Sequence, residues 1–359
     1  MNRLRWALAA VLASAGCAWC AAGCAELPAR GHGDIPALAK TGLELSRQQH
    51  YRQAADCYRK ALSIDPKLPG VQLNLGLAEF KTGNFQSALP PLTAVVAMDP
   101  ESQQARTLLG MSYYGAGMYA KAVPELARAL AADPTNAQLH YVVAQSCLWS
   151  NQYDRALQEF TWLLREQPGS GATHMLMGEA LDGLGREDDA IAELQAATAA
   201  SPPEPNAHFG LGYLFWKERH YDEAEREFRA ELDKDATNAP AAAYLADVLI
   251  HRGDPQAAEP LFEQALRLNP KIRLARLDLG ILYAERKENG RALRELREAV
   301  RLDPSRADAH YRLAHVYEGL GQQAAAKSEL ATVTQLHENR LEDMLHKVSG
   351  KPPGLDSGP

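Results

Sequence analysis

The sequence predicts an all-α fold: a right-handed α-solenoid of nine contiguous 34-residue helix-turn-helix repeats with a C-terminal capping helix. Three columns of residues predict it. Alanine recurs without a gap at Ala54, Ala88, Ala122, Ala156, Ala190, Ala224, Ala258, Ala292 and Ala326. Twelve residues after most of these comes a proline, at Pro66, Pro100, Pro134, Pro168, Pro202, Pro270 and Pro304. Twelve residues before each comes glycine or alanine, from Gly42 and Gly76 to Gly280 and Ala314. A fixed period of about 20–50 residues marks a stack of one supersecondary unit, each copy burying its neighbour's apolar face.

Residues 1–25 read as a signal segment. Arg3 and Arg5 precede Trp6–Ala25, which carries no charge and is strongly apolar only as far as Leu12. That is the shape of a secretory signal. Ser14-Ala15-Gly16-Cys17 and Ala21-Ala22-Gly23-Cys24 both resemble the lipobox of bacterial lipoproteins, without the usual leucine three positions ahead of the cysteine. The resemblance makes Cys17 and Cys24 lipidation candidates. Cleavage after Ala25 and an uncleaved anchor are the other two outcomes, since about 20 apolar residues suffice to span a bilayer. Residues 26–34, with Pro28, Gly31 and Gly33, read as a flexible leader.

The array follows at 35–340, in units 35–68, 69–102, 103–136, 137–170, 171–204, 205–238, 239–272, 273–306 and 307–340. Each unit holds two helices of about 13 residues, near 20 Å long, which are marginal alone and need packing. Small residues at the glycine/alanine and alanine columns let the two helices approach closely. The proline ends the second helix, because it has no N–H and its ring clashes with the preceding turn. Gly83, Gly117, Gly185, Gly253 and Gly321 suit the positive φ of a first helix's C-terminus. Glu338 replaces the last stop proline, so one long helix should run on, with 341–349 as a capping extension. Leu341, Met344, Leu345 and Val348 are expected to cover the final open face, as a solenoid end requires. Residues 350–359 read as a disordered tail.

These units resemble the tetratricopeptide repeat. Asn74-Leu75-Gly76, the aromatics Phe85, Tyr119, Tyr153 and Tyr221, and the run Lys60 to Pro66 match its pattern, over Ile35 to Arg340. The bulky aromatic often found at the family's fourth position is replaced here by Leu38, Gln72, Arg106, His140, His174, His208, Ala242, Arg276 and His310. Repeat six carries Glu231 and Ala236 where a small residue and proline are expected, which marks it as a looser unit or a bend.

A net charge of −7 argues against a general binder of phosphate backbones. His140, His174 and His208 share a column, but neighbouring copies stand about 10 Å apart, too far to meet on one zinc ion. No cofactor or metal is expected. Cys57 and Cys147 lie three units apart, too far to bridge each other, and read as small half-buried apolar residues outside any disulfide framework.

The resemblance implies a partner-binding groove lined by first helices. Its candidate residues are Leu73, Leu77, Met111, Tyr141, Trp149, Met175, Phe209, Tyr213, Trp216 and Tyr244. Aromatics and methionine suit an adaptable interface. The Lys/Asn/Arg clamp that some members use on C-terminal carboxylates is not assembled, since Lys40, Asn74 and Arg312 never fall in consecutive units with their partners. The chain therefore reads as a non-catalytic, monomeric scaffold for a protein or peptide, exported to the periplasm or held on the outer membrane by a lipid. The alternatives are a membrane-anchored, cytoplasm-facing assembly factor, or an accessory subunit of a glycosyltransferase or of a secretion or pilus machine.

Overall fold

Eighteen α-helices and no strand make up the described residues, 31–202 and 204–349 of a computed structural model. The signal segment 1–25, the lipidation candidates Cys17 and Cys24, most of the leader and the tail 350–359 lie outside the described residues. The chain forms two compact units, one ending at Pro168 and one starting at Gly169.

In the first unit, a 3₁₀ turn at His32–Asp34 leads into α1 (Ile35–Arg47), α2 (Tyr51–Ile64), α3 (Pro69–Lys81) and α4 (Phe85–Met98). They are followed by α5 (Gln103–Gly115), α6 (Tyr119–Ala132), α7 (Ala137–Trp149) and α8 (Tyr153–Glu166). The second unit holds α9 (Gly171–Gly183), α10 (Glu187–Ala199), α11 (Ala207–Lys217), α12 (Tyr221–Lys234) and α13 (Ala239–His251). It continues with α14 (Pro255–Leu268), α15 (Arg273–Glu285), α16 (Asn289–Leu302), α17 (Ala307–Gly319) and α18 (Gln323–Ser349). Within each unit every helix packs on the one before and the one after it. First helices of successive hairpins also touch, as α3 does α5 and α13 does α15, whereas second helices make no comparable contact. One face of each unit is thus made of first helices alone.

Local chemistry accounts for the boundaries. Gly83, Gly117, Gly185, Gly253 and Gly321 turn the chain at φ between +69° and +82°. Gln49, Asn151, Arg219 and Lys287 take the same role at φ near +60°, a region that disfavours residues with a Cβ. At the junctions, Asp65, Asp99, Asp235, Asn269 and Asp303 each accept the backbone N–H two residues on, at 2.8–3.2 Å. In four of them a following proline pushes the residue extended, Asp235 being followed by Ala236, and in all five the short carboxylate or amide folds the next turn.

The hairpins close on the small-residue columns. A Cβ built on Gly76 would stand 2.5 Å from Leu92 Cγ, and one on Gly280 would stand 2.6 Å from Leu296 Cγ. The alanine column is buried throughout, and Tyr58, Leu92, Leu126, Phe160, Phe228, Phe262 and Leu296 fill the centre between helices.

Three expectations need correction. Repeat six is not loose. Helix α11 starts late, behind the proline-rich stretch 202–205, and Asn206 at its N-cap has φ +63°, so its side chain does not cap the helix. Glu231, buried on α12, does so instead: Phe209 N–H donates to Oε2 at 3.1 Å and Asn238 Nδ2 donates to Oε1 at 3.0 Å. A carboxylate at a helix N-terminus meets its free N–H groups and its dipole. Next, α18 runs straight past the end of α17, so Leu341 and Met344 are 54% and 58% exposed rather than laid over the last face. Finally, Cys57 and Cys147 are fully buried, and Cys57 is disulfide-bonded. Burial pushes the Cys147 thiol up to about 11.

Candidate functional site: the first-helix faces

Each face is held in place from behind by a ladder of ion pairs. The fourth-position side chain of a first helix bonds a glutamate 19 residues later on the second helix. Arg106 Nη1 donates to Glu125 at 2.7 Å, His140 Nδ1 to Glu159 at 2.5 Å, His174 Nδ1 to Glu193 at 2.6 Å and His208 Nδ1 to Glu227 at 2.7 Å. Arg276 bonds Glu295, and His310 Nδ1 bonds Glu329 at 2.6 Å. The far side of the same side chain reaches back to a stop proline: His140 Nε2 to the Pro134 carbonyl and His310 Nε2 to the Pro304 carbonyl, both at 3.1 Å. The His140 ring also stacks on Trp162, 3.7 Å between centroids. Where the fourth position is apolar, so is its partner: Leu38 pairs in sequence with Cys57, and Ala242 with Leu261, each pair within one apolar cluster. The histidine column is therefore structural, each ring serving its own glutamate.

The groove side follows a second rule. Polar contacts between successive first helices join residues 31 or 35 apart. In the first unit Tyr114 donates to Gln145, whose Nε2 donates to Tyr141 Oη at 3.1 Å. Tyr114 lies 5.9 Å from Trp149, which is 40% exposed, and Tyr119 lies 4.8 Å from it. Burial raises the Tyr114 phenol, with Tyr141 and Tyr119 adding to the shift. Leu73 and Leu77 on α3 and Met111 on α5 are half-buried; Leu73 packs on the Leu92–Leu109 cluster.

In the second unit the rings form one continuous cluster. Centroids lie 5.9 Å apart for Phe209–Tyr244, 5.5 Å for Tyr213–Tyr244, 5.7 Å for Tyr213–Trp216 and 4.9 Å for Trp216–Tyr244. All four residues are half-buried, as is Met175, which no ring contact joins to them. Burial pushes the Tyr244 hydroxyl up to about 12. Trp216 Nε1–H donates to Asp247, and Asp247 in turn meets Asp278, again 31 residues on. Desolvation first, then the Asp247 charge, hold the Asp278 carboxyl well above the ordinary carboxylate range. Arg273 binds Asp308, and Lys217 Nζ binds Asp182 at 2.6 Å.

The structure thus brings together Tyr141 and Trp149 in one unit, and Phe209, Tyr213, Trp216 and Tyr244 in the other. Sequence reading missed the glutamate ladder and Asp278. The 19-residue pairing of a basic column with an acidic one was the available signal.

Tetratricopeptide repeat models match residues 73–137, 209–271 and 244–293, 148–211 and 307–339, and a TPR repeat model matches 42–83 and 280–321. Together they span 42–137 and 148–339. The chain belongs to the tetratricopeptide repeat family. Proteins of this family act as protein-interaction scaffolds. The TPR repeat-containing thioredoxin TTL4 of Arabidopsis thaliana is 34% identical over 89 residues, 25% of this chain and 13% of that protein. The chain therefore spans only a small part of that relative. Among solved structures, the APC/C hetero-tetramer Cut9–Hcn1 is similar at a TM-score of 0.55 and 17% identity, over 87% of this chain and 76% of the other. A tetratricopeptide repeat protein from Parabacteroides merdae is similar at a TM-score of 0.55 and 18% identity, over 69% of this chain and 98% of its own. At such identities the likeness is one of fold.

Proposed function

We propose that this tetratricopeptide protein is a non-catalytic scaffold of the bacterial cell envelope, gripping a helical or extended segment of a partner protein on its first-helix faces. One observation carries the reading. Those faces display aromatic rings in contiguous groups, Tyr114 with Trp149 and Phe209 with Tyr213, Trp216 and Tyr244, that the hairpins leave half-exposed. Exposed apolar patches mark interaction sites, and aromatics dominate interface energetics. The test is capture of a partner from envelope extract, repeated with Phe209→Ala and Tyr213→Ala. Loss of one and the same protein in both variants supports the groove; undiminished capture overturns it.

The exported location rests on Arg3, Arg5 and the uncharged Trp6–Ala25. No helix among the described residues is long and apolar enough to cross a membrane. Mass spectrometry of the mature N-terminus decides the matter. Acylation at Cys17 or Cys24, or a free N-terminus near Glu26, fits an exported scaffold. An intact N-terminus fits the membrane-anchored, cytoplasm-facing alternative.

A further inference from the structure

We propose that the first-helix face of the second unit takes a partner segment that sets arginine or lysine among apolar residues, the cation docking over the Trp216 and Tyr244 rings beside Asp247 and Asp278. This rests on the groove reading above and adds the chemistry of what is gripped.

The charge of the face comes first. At the second, fifth, sixth, ninth and twelfth positions of their repeats, α9, α11, α13, α15 and α17 carry Glu179, Asp182, Asp247, Asp278, Asp308 and Glu318 against Arg312. The same positions on α1, α3, α5 and α7 carry no acid and one base, Lys40. The acidity belongs to the second unit and is not a general property of the fold.

Some of these acids already have partners. Lys217 holds Asp182, Arg273 holds Asp308, and His315 lies 2.9 Å from Glu318. The central pair is different. No lysine or arginine forms an ion pair with Asp247 or Asp278 among the described residues; Asp247 has the Trp216 indole and His251 at 3.6 Å. Asp278 Oδ2 is buried with no donor facing it. Two carboxyls placed against each other repel once both ionise, and a cation arriving between them relieves that repulsion. Burial first, then the neighbouring Asp247 and Asp308, push the Asp278 carboxyl up, and Arg273, itself engaged with Asp308, opposes this only in part.

The rings supply the second half of the fit. Trp216 and Tyr244 lie 4.9 Å apart and Tyr213 lies 5.5 Å from Tyr244, all half-exposed. A guanidinium or ammonium over such rings is attracted by their quadrupoles, most strongly over tryptophan. A cation at this point gains ring faces and carboxylates together, while apolar neighbours in the partner cover Phe209 and Tyr213.

The test uses the full chain and two blocked probe peptides of about twelve residues, three helical turns. Both share leucines at i, i+3, i+4 and i+7; one carries three arginines on the flanks of that stripe, the other three glutamates. The arginine peptide is expected to bind, and to weaken about tenfold or more with Trp216→Ala and with Asp247→Asn/Asp278→Asn, a shift readily resolved by anisotropy. Asp222→Asn/Glu223→Gln, on α12 away from the first helices, should leave binding unchanged. Asp278→Asn alone, close to isosteric, replaces the double variant should that one fail to fold. Equal binding of the glutamate peptide, or binding indifferent to the aspartate changes, overturns the proposal; the groove reading then survives only if Trp216→Ala still weakens binding. No binding of the arginine peptide at millimolar concentration also overturns it. If Trp216→Ala affects neither peptide, the groove reading falls with it.

Discussion

His174 on α9 and Glu193 on α10 stand 19 residues apart and bond at 2.6 Å, both largely shielded from water. The same relation recurs from Arg106–Glu125 to His310–Glu329, so it is a property of the hairpin. His174→Ala strands a shielded glutamate and should cost about 1.5–3 kcal/mol in denaturant unfolding. The double change His174→Ala/Glu193→Leu reproduces the Ala242/Leu261 pair of repeat seven and should recover most of that loss. A double variant as unstable as the single one would show that the pair is not the unit of stability.

Glu231→Ala removes the group that caps α11. Its loss should cost about 1–2 kcal/mol, the range of a lost cap, and free the Phe209 amide to exchange faster with solvent. Glu231→Gln keeps one oxygen for the Phe209 N–H and should lie between. Hydrogen exchange read at Phe209 and its neighbours checks both.

Arg219 and Lys287 occupy the left-handed turn conformation that five other hairpins give to glycine. Arg219→Gly and Lys287→Gly remove a strain of about 1–2 kcal/mol and add part of that back through the freer unfolded chain. A net gain below about 1 kcal/mol in each should appear as a raised melting temperature. The same substitution at Arg226, within α12, should lower it.

Asp278 makes the second unit sensitive to pH. Its folded carboxyl titrates above the ordinary value of 3.8, so its contribution to stability is full below that value and is lost as pH rises through the folded pKa. Melting temperature should therefore fall as pH climbs from the acid range toward neutrality, relative to Asp278→Asn. The variant should be the more stable protein at neutral pH. A wild-type and variant pair with parallel pH profiles would contradict this.

The helices and their order were legible because three residue types recur at one period, and each does a different steric job. Ala54 and its copies, Gly76 and its copies, and the stop prolines needed only counting. The site was harder to read. Tyr213 and Trp216 could be placed on a first helix from the repeat pattern, but their contact with Tyr244 depends on how two first helices sit together. Asp278 was overlooked because the groove candidates were drawn from apolar and aromatic side chains, although Tyr244, at the same sixth position one repeat earlier, was among them. Glu231 was misread as a flaw, since its use appears only once Asn206 is known to leave α11 uncapped. The exposure of Leu341 and Met344 went unforeseen because apolar spacing says which side chains share a stripe, not what the stripe meets.

The apolar pair Ala242 and Leu261 breaks a run of ion pairs, and that has a bearing on how the chain avoids tangling with itself. Near-identical hairpins invite a first helix to take the wrong second helix, one repeat too early or too late. If α11 or α15 clasped α14, His208 or Arg276 would face Leu261 with no carboxylate in reach; if α13 clasped α12 or α16, Glu227 or Glu295 would face the methyl of Ala242. Each mistake leaves a shielded charge without a counter-ion, so the odd repeat keeps its neighbours in step.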